Sequence, residues 1–447
     1  MPTSTATLQA RAAQAINAQA DELRPALAGF ALFFCLFCGY FMLRPIREAM
    51  GVQGGVDNLQ WLFTATFVVM LIAVPLFAWL NSSVPRAHFI DWVFGFFCIN
   101  LLLFAIAFTP EQPSIWLARV FYVWISVYNL FVISVAWSLM AAVFDSGQAK
   151  RLFAFIAAGA SVGGLVGPMF SALSIDGLGP RGMTLVAAGL LLAALRLKHY
   201  LMAWRERGGA GRAGAVAAES PRRPVAGNPF SGIQRVLGSA YLLCLCLFVI
   251  LLATVSTFLY FEQARMVSQL FASQEEQVRV FGLIDFIVQA GSLIAQLFIT
   301  GRIAQRLGVG SLLAIVPLLV CIGFLGLALA PTFAVLATLM IVRRIGEYAF
   351  VRPGREMLFA PLDAQTKYKA KNFIDTVVYR AGDAISGWAK SLIDTLGHGV
   401  LLVALIGAAC SALWALVGGY LGSRAEAQGA MAQAEAENPA RVDREAR

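Results

Sequence analysis

The sequence contains little charge for its length. Only 13% of its 447 residues are Asp, Glu, Lys or Arg, whereas about 25% are charged in a typical soluble domain. Hydrophobic residues make up 59% of the chain, and 33 Phe and 9 Trp supply large apolar side chains. One core cannot bury this much apolar surface, so much of it faces lipid. The composition therefore excludes an ordinary soluble enzyme and predicts a membrane protein.

Residues suited to metal or redox chemistry are also scarce. The three histidines are isolated at positions 88, 199 and 398, which is no spacing for a metal site or a catalytic dyad. All seven cysteines lie in apolar runs, where a thiol behaves as a small hydrophobic group, so we expect no disulfide. The CxxC formed by Cys35 and Cys38 lacks a second pair and nearby His ligands, and we interpret it as packing. The sequence implies no cofactor and no metal.

The sequence has no motif for nucleotide hydrolysis. Gly159, Gly163 and Gly167 recur every fourth residue, but the Lys and the Ser or Thr of a phosphate loop do not follow them. This spacing of small residues is typical of closely packed membrane helices. Nothing resembles a hydrolase or an ATP-driven motor. We therefore expect no enzymatic activity, and any transport has to be driven by exchange or by an ion gradient.

Long apolar runs separated by Gly, Pro and charge predict twelve transmembrane helices in two groups of six. The first group of spans is 26–50, 58–80, 87–109, 115–143, 152–174 and 182–203. The second group is 239–262, 278–300, 310–330, 332–359, 373–396 and 399–421. The predicted fold class is an all-α polytopic membrane protein built from two six-helix bundles.

The predicted bundles occupy 26–203 and 239–421. A Gly-, Ala-, Pro- and Arg-rich linker at 204–238 joins them, and tails at 1–25 and 422–447 flank them. Most Lys and Arg outside the spans fall on the side that holds both termini, which predicts cytoplasmic termini in a bacterial inner membrane. We expect the basic linker to contact the anionic headgroups of membrane lipids and not nucleic acid.

One short basic segment lies between the eighth and ninth predicted spans. Gly301–Gly308 contains Arg302 and Arg306 and resembles the basic cytoplasmic loop of the major facilitator superfamily. The six-plus-six spans, the central basic linker and the charge bias are similar to that family as well. The resemblance implies the major facilitator fold, for which a monomer is the default expectation.

Charged residues inside the predicted spans are the strongest sign of function. Each costs about 2.5–3.5 kcal/mol at a helix centre, so each must face a wet cavity or an opposite charge. The arginines are Arg44, Arg47, Arg119, Arg343, Arg344, Arg352, Arg355 and Arg380. The carboxylates are Glu48, Asp285, Glu347, Glu356, Asp375 and Asp383.

Some of these charges form a repeated motif, YxxxRPxRE, which occurs in the first and tenth spans. The Tyr and both Arg lie at i, i+4 and i+7, on one helical face, and guanidinium forks suit bidentate binding of phosphate or carboxylate. Each Pro removes one backbone hydrogen bond beside the arginines and frees a carbonyl. The motif predicts an anion site formed by Tyr40, Arg44, Arg47, Glu48, Tyr348, Arg352, Arg355 and Glu356, with Arg380 from the eleventh span.

Because the first span runs outward and the tenth inward, we expect the first motif in the outer half of the membrane and the second in the inner half. A competing interpretation treats Arg44–Glu48 and Arg352–Glu356 as local ion pairs that hold the fold or latch a gate. Other acidic residues are candidates for gating or proton coupling, or for salt bridges to these arginines and to Arg380. They are Asp285, Glu347, Asp375 and Asp383.

Three stretches resemble the bacterial and plastid ATP/ADP translocase family. They are 43–48 (LRPIRE), 150–153 (KRLF) and the blocks within 355–383, REMLFAPL, KYKAK and IDTVVYRAGD. The resemblance implies nucleotide exchange by alternating access, with Arg47 and Arg355 binding the charged substrate. The family typically has Lys where this chain has these two Arg, and it has acidic residues in spans four and seven that 122–137 and 253–260 lack.

The sequence thus predicts a secondary-active transporter of an anionic solute, such as ATP, ADP or another nucleotide, that works by alternating access. The alternative is a proton-coupled facilitator for another anionic metabolite, a lipid precursor or a drug. A membrane sensor or scaffold that transports nothing would leave the repeated motif unexplained.

Overall fold

The computed structural model describes residues 18–19, 21–83, 86–108, 114–208, 233–360, 362–396 and 399–437. All regular secondary structure in these residues is helical. The α-helices are α1 (Leu23–Gln53), α2 (Leu59–Ser83), α3 (Arg86–Ala107), α4 (Ile115–Val143), α5 (Ser146–Gly208), α6 (Ile233–Leu237), α7 (Ala240–Leu270), α8 (Gln274–Ala295), α9 (Gly301–Leu329), α10 (Phe333–Gly346), α11 (Arg352–Leu358), α12 (Ala364–Phe373), α13 (Tyr379–Thr395) and α14 (Val400–Glu437). A 3-10 turn, Val56–Asn58, precedes α2.

Three π-helical turns join helices that would otherwise be separate. They are Gln296–Thr300 between α8 and α9, Glu347–Val351 between α10 and α11, and Ile374–Val378 between α12 and α13. A π-turn has i to i+5 hydrogen bonds and is frequent at functional sites. The second and third of these turns lie in the predicted tenth and eleventh spans, beside the charged residues.

In the described part of the chain, eight helices are long and apolar enough to cross a membrane. Two of them contain a break at a glycine with positive φ, Gly179 (φ 60°) in α5 and Gly308 (φ 78°) in α9. Glycine adopts this conformation at no steric cost because it has no Cβ. Gly179 lies between the predicted fifth and sixth spans and Gly308 between the eighth and ninth. The all-α membrane class is confirmed, while the count of twelve spans stays a prediction.

The described residues divide into two compact units. The first contains the chain up to Gly55, the stretch from Ile72 through α5, and Leu270–Phe286. The second contains Val56–Leu71, the stretch from α6 to Gln269, and the chain from Ile287 onward. The predicted bundle boundaries stay predictions, since most of the linker lies outside the described residues. The predicted C-terminal tail continues α14 as far as Glu437.

In the first unit, α1 packs closely on α5 at the three glycines that recur every fourth residue. A Cβ at Gly163 would lie 2.6 Å from the carbonyl oxygen of Phe34, and one at Gly167 would lie 2.6 Å from that of Cys38. Gly159 lies even closer to the backbone of Phe30. The backbones approach this closely because glycine has no side chain, which confirms the helix-packing interpretation.

In the second unit, α14 packs along α9 and α7. The ring of Trp414, fully buried, lies 5.7 Å from the ring of Phe248. In the same unit, Trp388 of α13 donates from Nε1 to Thr64 Oγ1 at 3.0 Å. This bond ties the start of α2 to the second unit although α2 comes early in the sequence.

Candidate functional site

The first YxxxRPxRE motif lies in the second half of α1 and is almost neutral. Arg44 Nε is 3.9 Å from Glu48 Oε1 and 3.7 Å from Asp285 Oδ2 of α8. Arg47 Nη1 donates to Glu48 Oε1 at 3.0 Å. Two guanidinium groups thus share two buried carboxylates, and both arginine side chains are less than one-fifth exposed.

Arg47 is also fixed against α4. Its guanidinium lies 4.1 Å from the centre of the Tyr122 ring, and Nε donates to the Tyr122 carbonyl at 3.4 Å. Tyr40 lies one turn away, edge-on to the Phe41 ring at 5.1 Å. This copy of the motif therefore presents little accessible positive charge, and its local pairing agrees with the ion-pair interpretation.

The second motif is organised around Glu347, which is buried. Glu347 Oε2 accepts from Arg343 Nη1 at 3.0 Å, and Oε1 accepts from Arg352 Nη2 at 3.3 Å. The expected pair Arg352–Glu356 is replaced, because Glu356 binds Lys371 Nζ at 2.6 Å. The π-turn Glu347–Val351 explains the difference, since i to i+5 spacing brings residue 347 next to residue 352.

Arg352 differs from the other motif arginines in its exposure. Its side chain is 56% exposed and its guanidinium lies 4.4 Å from the centre of the Tyr348 ring. Arg355 is 14% exposed and its Nη2 lies 3.1 Å from Asp375 Oδ1, in the π-turn Ile374–Val378. Arg352 is therefore the motif arginine best placed to receive a ligand.

The remaining predicted residues complete this cluster from α13. Arg380 Nη1 lies 3.5 Å from Asp383 Oδ2, one turn further along, and its guanidinium lies 5.8 Å from the Tyr379 ring. Asp383 is buried, as the salt-bridge interpretation expects. Tyr379 lies within electrostatic range of Arg352, Glu347 and Arg380, which connects α13 to the π-turn.

The charges of the second cluster do not cancel. This cluster consists of six cations and four carboxylates, which leaves an excess of two positive charges. The cations are Arg343, Arg344, Arg352, Arg355, Lys371 and Arg380, and the carboxylates are Glu347, Glu356, Asp375 and Asp383. An incomplete set of carboxylates around buried and half-buried guanidinium groups is suited to binding an anion.

Residues 29–353 match the sequence profile of the Major Facilitator Superfamily. The chain belongs to this superfamily. It is 24% identical over 429 aligned positions to ADP,ATP carrier protein 1 of Chlamydia muridarum, covering 81% of this chain and 80% of that one. ADP,ATP carrier protein 1 of Chlamydia trachomatis is similar to the same extent. These matches confirm the resemblance to the ATP/ADP translocase family.

Solved transporters share the fold. The nucleoside transporter NupG superposes with a TM-score of 0.61 at 15% identity, covering 89% of this chain and 98% of that one. A POT family transporter in complex with 5-aminolevulinic acid superposes with a TM-score of 0.56 at 12% identity, covering 88% and 96%. As a member of the Major Facilitator Superfamily, the chain is a multi-pass membrane transporter of a solute and not an enzyme.

The transporter also has a buried charge network that the sequence reasoning missed. Lys390 of α13 is 0% exposed, and its Nζ lies 2.8 Å from Glu262 Oε1 of α7 and 2.7 Å from Asp394 Oδ1. Arg265 Nη2 lies 2.7 Å from Asp394 Oδ2. A cavity of about 250 Å³, lined in part by Arg265, Asp394 and Gln60, borders the network. The sequence signal for this network is the carboxylate at position 262, which lies two residues beyond the acid-free stretch 253–260.

Arg151 of the transporter, in the family-like KRLF stretch, also has a defined role. Its guanidinium donates to both carboxylate oxygens of Glu22 at 3.0 Å, and Gln148 Nε2 donates to Glu22 Oε1 at 3.0 Å. Burial raises the pKa of Glu22, but the Gln19 N–H, Arg151 and Gln148 outweigh it and leave the pKa below its ordinary value. This network ties the start of α1 to the start of α5.

The described residues also show how the possible metal ligands and the cysteines are spaced. No group of three or more His, Cys, Asp or Glu there is arranged to hold a metal ion. The seven cysteines all lie in the described part of the chain and are free thiols there.

Proposed function

We propose that the transporter exchanges small, multiply charged anions by alternating access, and that nucleotides are the substrate class. The observation that carries this proposal is the excess positive charge around Arg352, whose side chain is 56% exposed and whose guanidinium lies over the Tyr348 ring. Guanidinium forks bind phosphate oxygens in pairs, and in a site shielded from water these bonds are stronger than on a surface. Relatives named as ADP,ATP carriers support the choice of nucleotides.

The aromatic rings beside the arginines favour a nucleotide over a simple inorganic anion. Tyr348 and Tyr379 lie on the two helices that supply Arg352 and Arg380. An aromatic side chain stacks on a nucleobase while neighbouring arginines hold the phosphates. A site of this composition binds both ends of a nucleotide, whereas inorganic phosphate would use the arginines alone.

A proton-coupled transporter of another anion is the second candidate. Asp285 is 1% exposed and lies against Arg44, and Asp383 is buried against Arg380. Protonation of either carboxylate would remove the partner of an arginine and so change its affinity for an anion. This mechanism requires a proton gradient, which nucleotide exchange does not.

We further propose an inner-membrane location with both termini and the linker in the cytoplasm, a monomeric protein, and contact between the basic linker and anionic lipids. The bias of Lys and Arg toward one side of the predicted spans supports the orientation.

Purified protein in liposomes tests the function. We expect uptake of labelled ADP or ATP only when the liposomes contain nucleotide, and unchanged uptake when the proton gradient is collapsed. Arg352→Gln should abolish most of this uptake. Arg306→Gln, an exposed arginine outside the cluster, should leave it unchanged.

The two candidate functions predict different results in these uptake experiments. Uptake that needs a proton gradient but no internal nucleotide would support the proton-coupled candidate. Absence of uptake and of thermal stabilisation by nucleotides, sugar phosphates, dicarboxylates and anionic lipids would contradict both. Equal effects of Arg352→Gln and Arg306→Gln would contradict the assignment of the site.

A further inference from the structure

Two of the π-turns face each other across a helix contact in the second unit. The turn Gln296–Thr300 follows α8, and the turn Glu347–Val351 precedes α11. Gln296 Nε2 donates to the Tyr348 carbonyl at 3.1 Å. Thr300 Oγ1 donates to the Ala349 carbonyl at 2.9 Å, the shorter of its two acceptor distances, since the Ala295 carbonyl of its own helix lies at 3.1 Å. Side chains of one π-turn therefore bind the backbone of the other.

Pro353 explains why these two carbonyls accept side-chain donors. An α-helical N–H at residue 353 would bind the carbonyl of residue 349, and a π-helical one would bind that of residue 348. Proline has no N–H, so it supplies neither bond. The N–H of Arg352 binds the Glu347 carbonyl five residues back, which is the π spacing. Pro353 leaves the Ala349 carbonyl unpaired in α spacing and the Tyr348 carbonyl unpaired in π spacing. Thr300 binds the first of these carbonyls and Gln296 binds the second.

The covered carbonyls matter because this segment lies in a predicted membrane span. An unpaired carbonyl in hydrocarbon costs several kcal/mol. Without the two donors, the helix would have to rearrange or admit water at this point. The hydrogen bonds from Gln296 and Thr300 therefore stabilise the π-turn in this position.

The π-turn in turn sets the geometry of the anion site. It holds Glu347, five residues earlier in the chain, next to Arg352, whose guanidinium also lies over the Tyr348 ring. A change from π to α spacing moves the residues before the turn by about 100° relative to those after it. Glu347, five residues before Arg352, would then lose its present contact with that guanidinium, whereas Tyr348 at i, i+4 would still face it.

We propose that Gln296 and Thr300 are positioning residues, which keep Arg352 available for substrate by holding the π-turn of the opposing helix. This inference rests on the proposed function, since it assigns the two residues to the anion site. Neither residue has to touch the substrate.

Substitution of the donors tests the inference. Thr300→Val removes the hydroxyl and keeps the shape, and we expect the KM for nucleotide exchange to rise about tenfold with kcat nearly unchanged. Thr300→Ser keeps the donor and should behave as the wild type. The matched control is Thr184→Val, because the buried Thr184 hydroxyl binds only carbonyls of its own helix, those of Pro180 and Arg181.

Pro353→Ala supplies the N–H that the helix lacks and serves as the second test. In this background, Thr300→Val should change KM by less than about twofold, because the backbone then covers the carbonyl itself. Such non-additivity is expected only for residues that share one interaction. Equal effects of Thr300→Val with and without Pro353→Ala would overturn the inference.

A substrate-free measurement separates this inference from the proposed function. The arginine reagent phenylglyoxal should modify Arg352 at a different rate in Thr300→Val and in the wild type, as read by peptide mass spectrometry. An unchanged rate together with an unchanged KM would overturn the positioning role. A changed rate in a protein that neither binds nor moves any anion would support the geometry and overturn the proposed function alone.

Discussion

At the scale of single residues, the partner of each motif arginine depends on the type of helical turn around it. Tyr40, Arg44 and Arg47 lie along one side of α1, and Arg44 faces Glu48 as the spacing suggested. Arg352 pairs with Glu347 and not with Glu356, because a π-turn changes the spacing that an α-helical wheel assumes. Nothing in the local composition distinguishes such a turn from ordinary helix.

Lys390 gives a residue-scale prediction about stability. Its ammonium group is fully buried between Glu262 and Asp394, so Lys390→Met leaves buried carboxylates without their main partner. We expect a loss of about 3–5 kcal/mol in folding free energy. Adding Glu262→Gln to the Lys390→Met protein should restore part of the lost stability. Thermal unfolding in detergent measures both, with exposed Lys367→Met as the control, and equal melting temperatures for the two lysine variants would contradict the role of the network.

Glu22 gives a prediction about pH. Its pKa in the folded protein is lower than its ordinary value of 4.5, so the charged form stabilises the fold. That stability is present above the ordinary pKa and is lost as the pH falls through the lowered pKa. We therefore expect Glu22→Gln to be less stable at neutral pH and to lose less on acidification. Melting temperatures between pH 7 and about pH 3 test this, and parallel curves for both proteins would contradict it.

At the scale of whole elements, the apolar runs predicted the helices well because lipid demands long, uninterrupted helical segments. The breaks at Gly179 and Gly308 fall where Gly and charge interrupt those runs. The π-turn Glu347–Val351 was not predictable, because the donors that cover its carbonyls, Gln296 and Thr300, lie on another helix. The glycine repeat in α5 was predictable, since small residues at every fourth position leave few alternatives to close packing.

That helix contact provides an element-scale prediction with its own control in the same helix. Gly163→Ala would place a Cβ 2.6 Å from the Phe34 carbonyl, so α1 and α5 would have to move apart. We expect a loss of about 1–3 kcal/mol in stability. Gly189→Ala, which meets nothing within 4 Å, should be neutral or slightly stabilising. If the two variants melt at the same temperature, the contact does not have the proposed role.

At the scale of the whole molecule, the two copies of one motif have diverged in electrostatic character. Sequence alone treats them as equivalent because both contain two Arg and one Glu at the same spacing. The difference arises from distant residues: Asp285 neutralises the first copy, whereas Arg343, Arg344 and Lys371 add positive charge to the second. The assignment of 56–71 to the second unit and 270–286 to the first is likewise a long-range property, invisible to local patterns.

This divergence predicts different consequences for the same substitution in the two copies. Arg44→Gln leaves Asp285, which is nearly inaccessible to solvent, with less compensation, and we expect about 1–3 kcal/mol lower stability. Adding Asp285→Asn should restore most of it, because the pair is then neutral. Arg352→Gln should instead lower nucleotide uptake at nearly unchanged melting temperature, because Glu347 keeps Arg343 as a partner and the Arg352 side chain is largely exposed. Melting curves and liposome uptake measured on all three proteins separate the two roles, and an Arg44→Gln protein of normal stability that fails to transport would place substrate binding in the first copy instead.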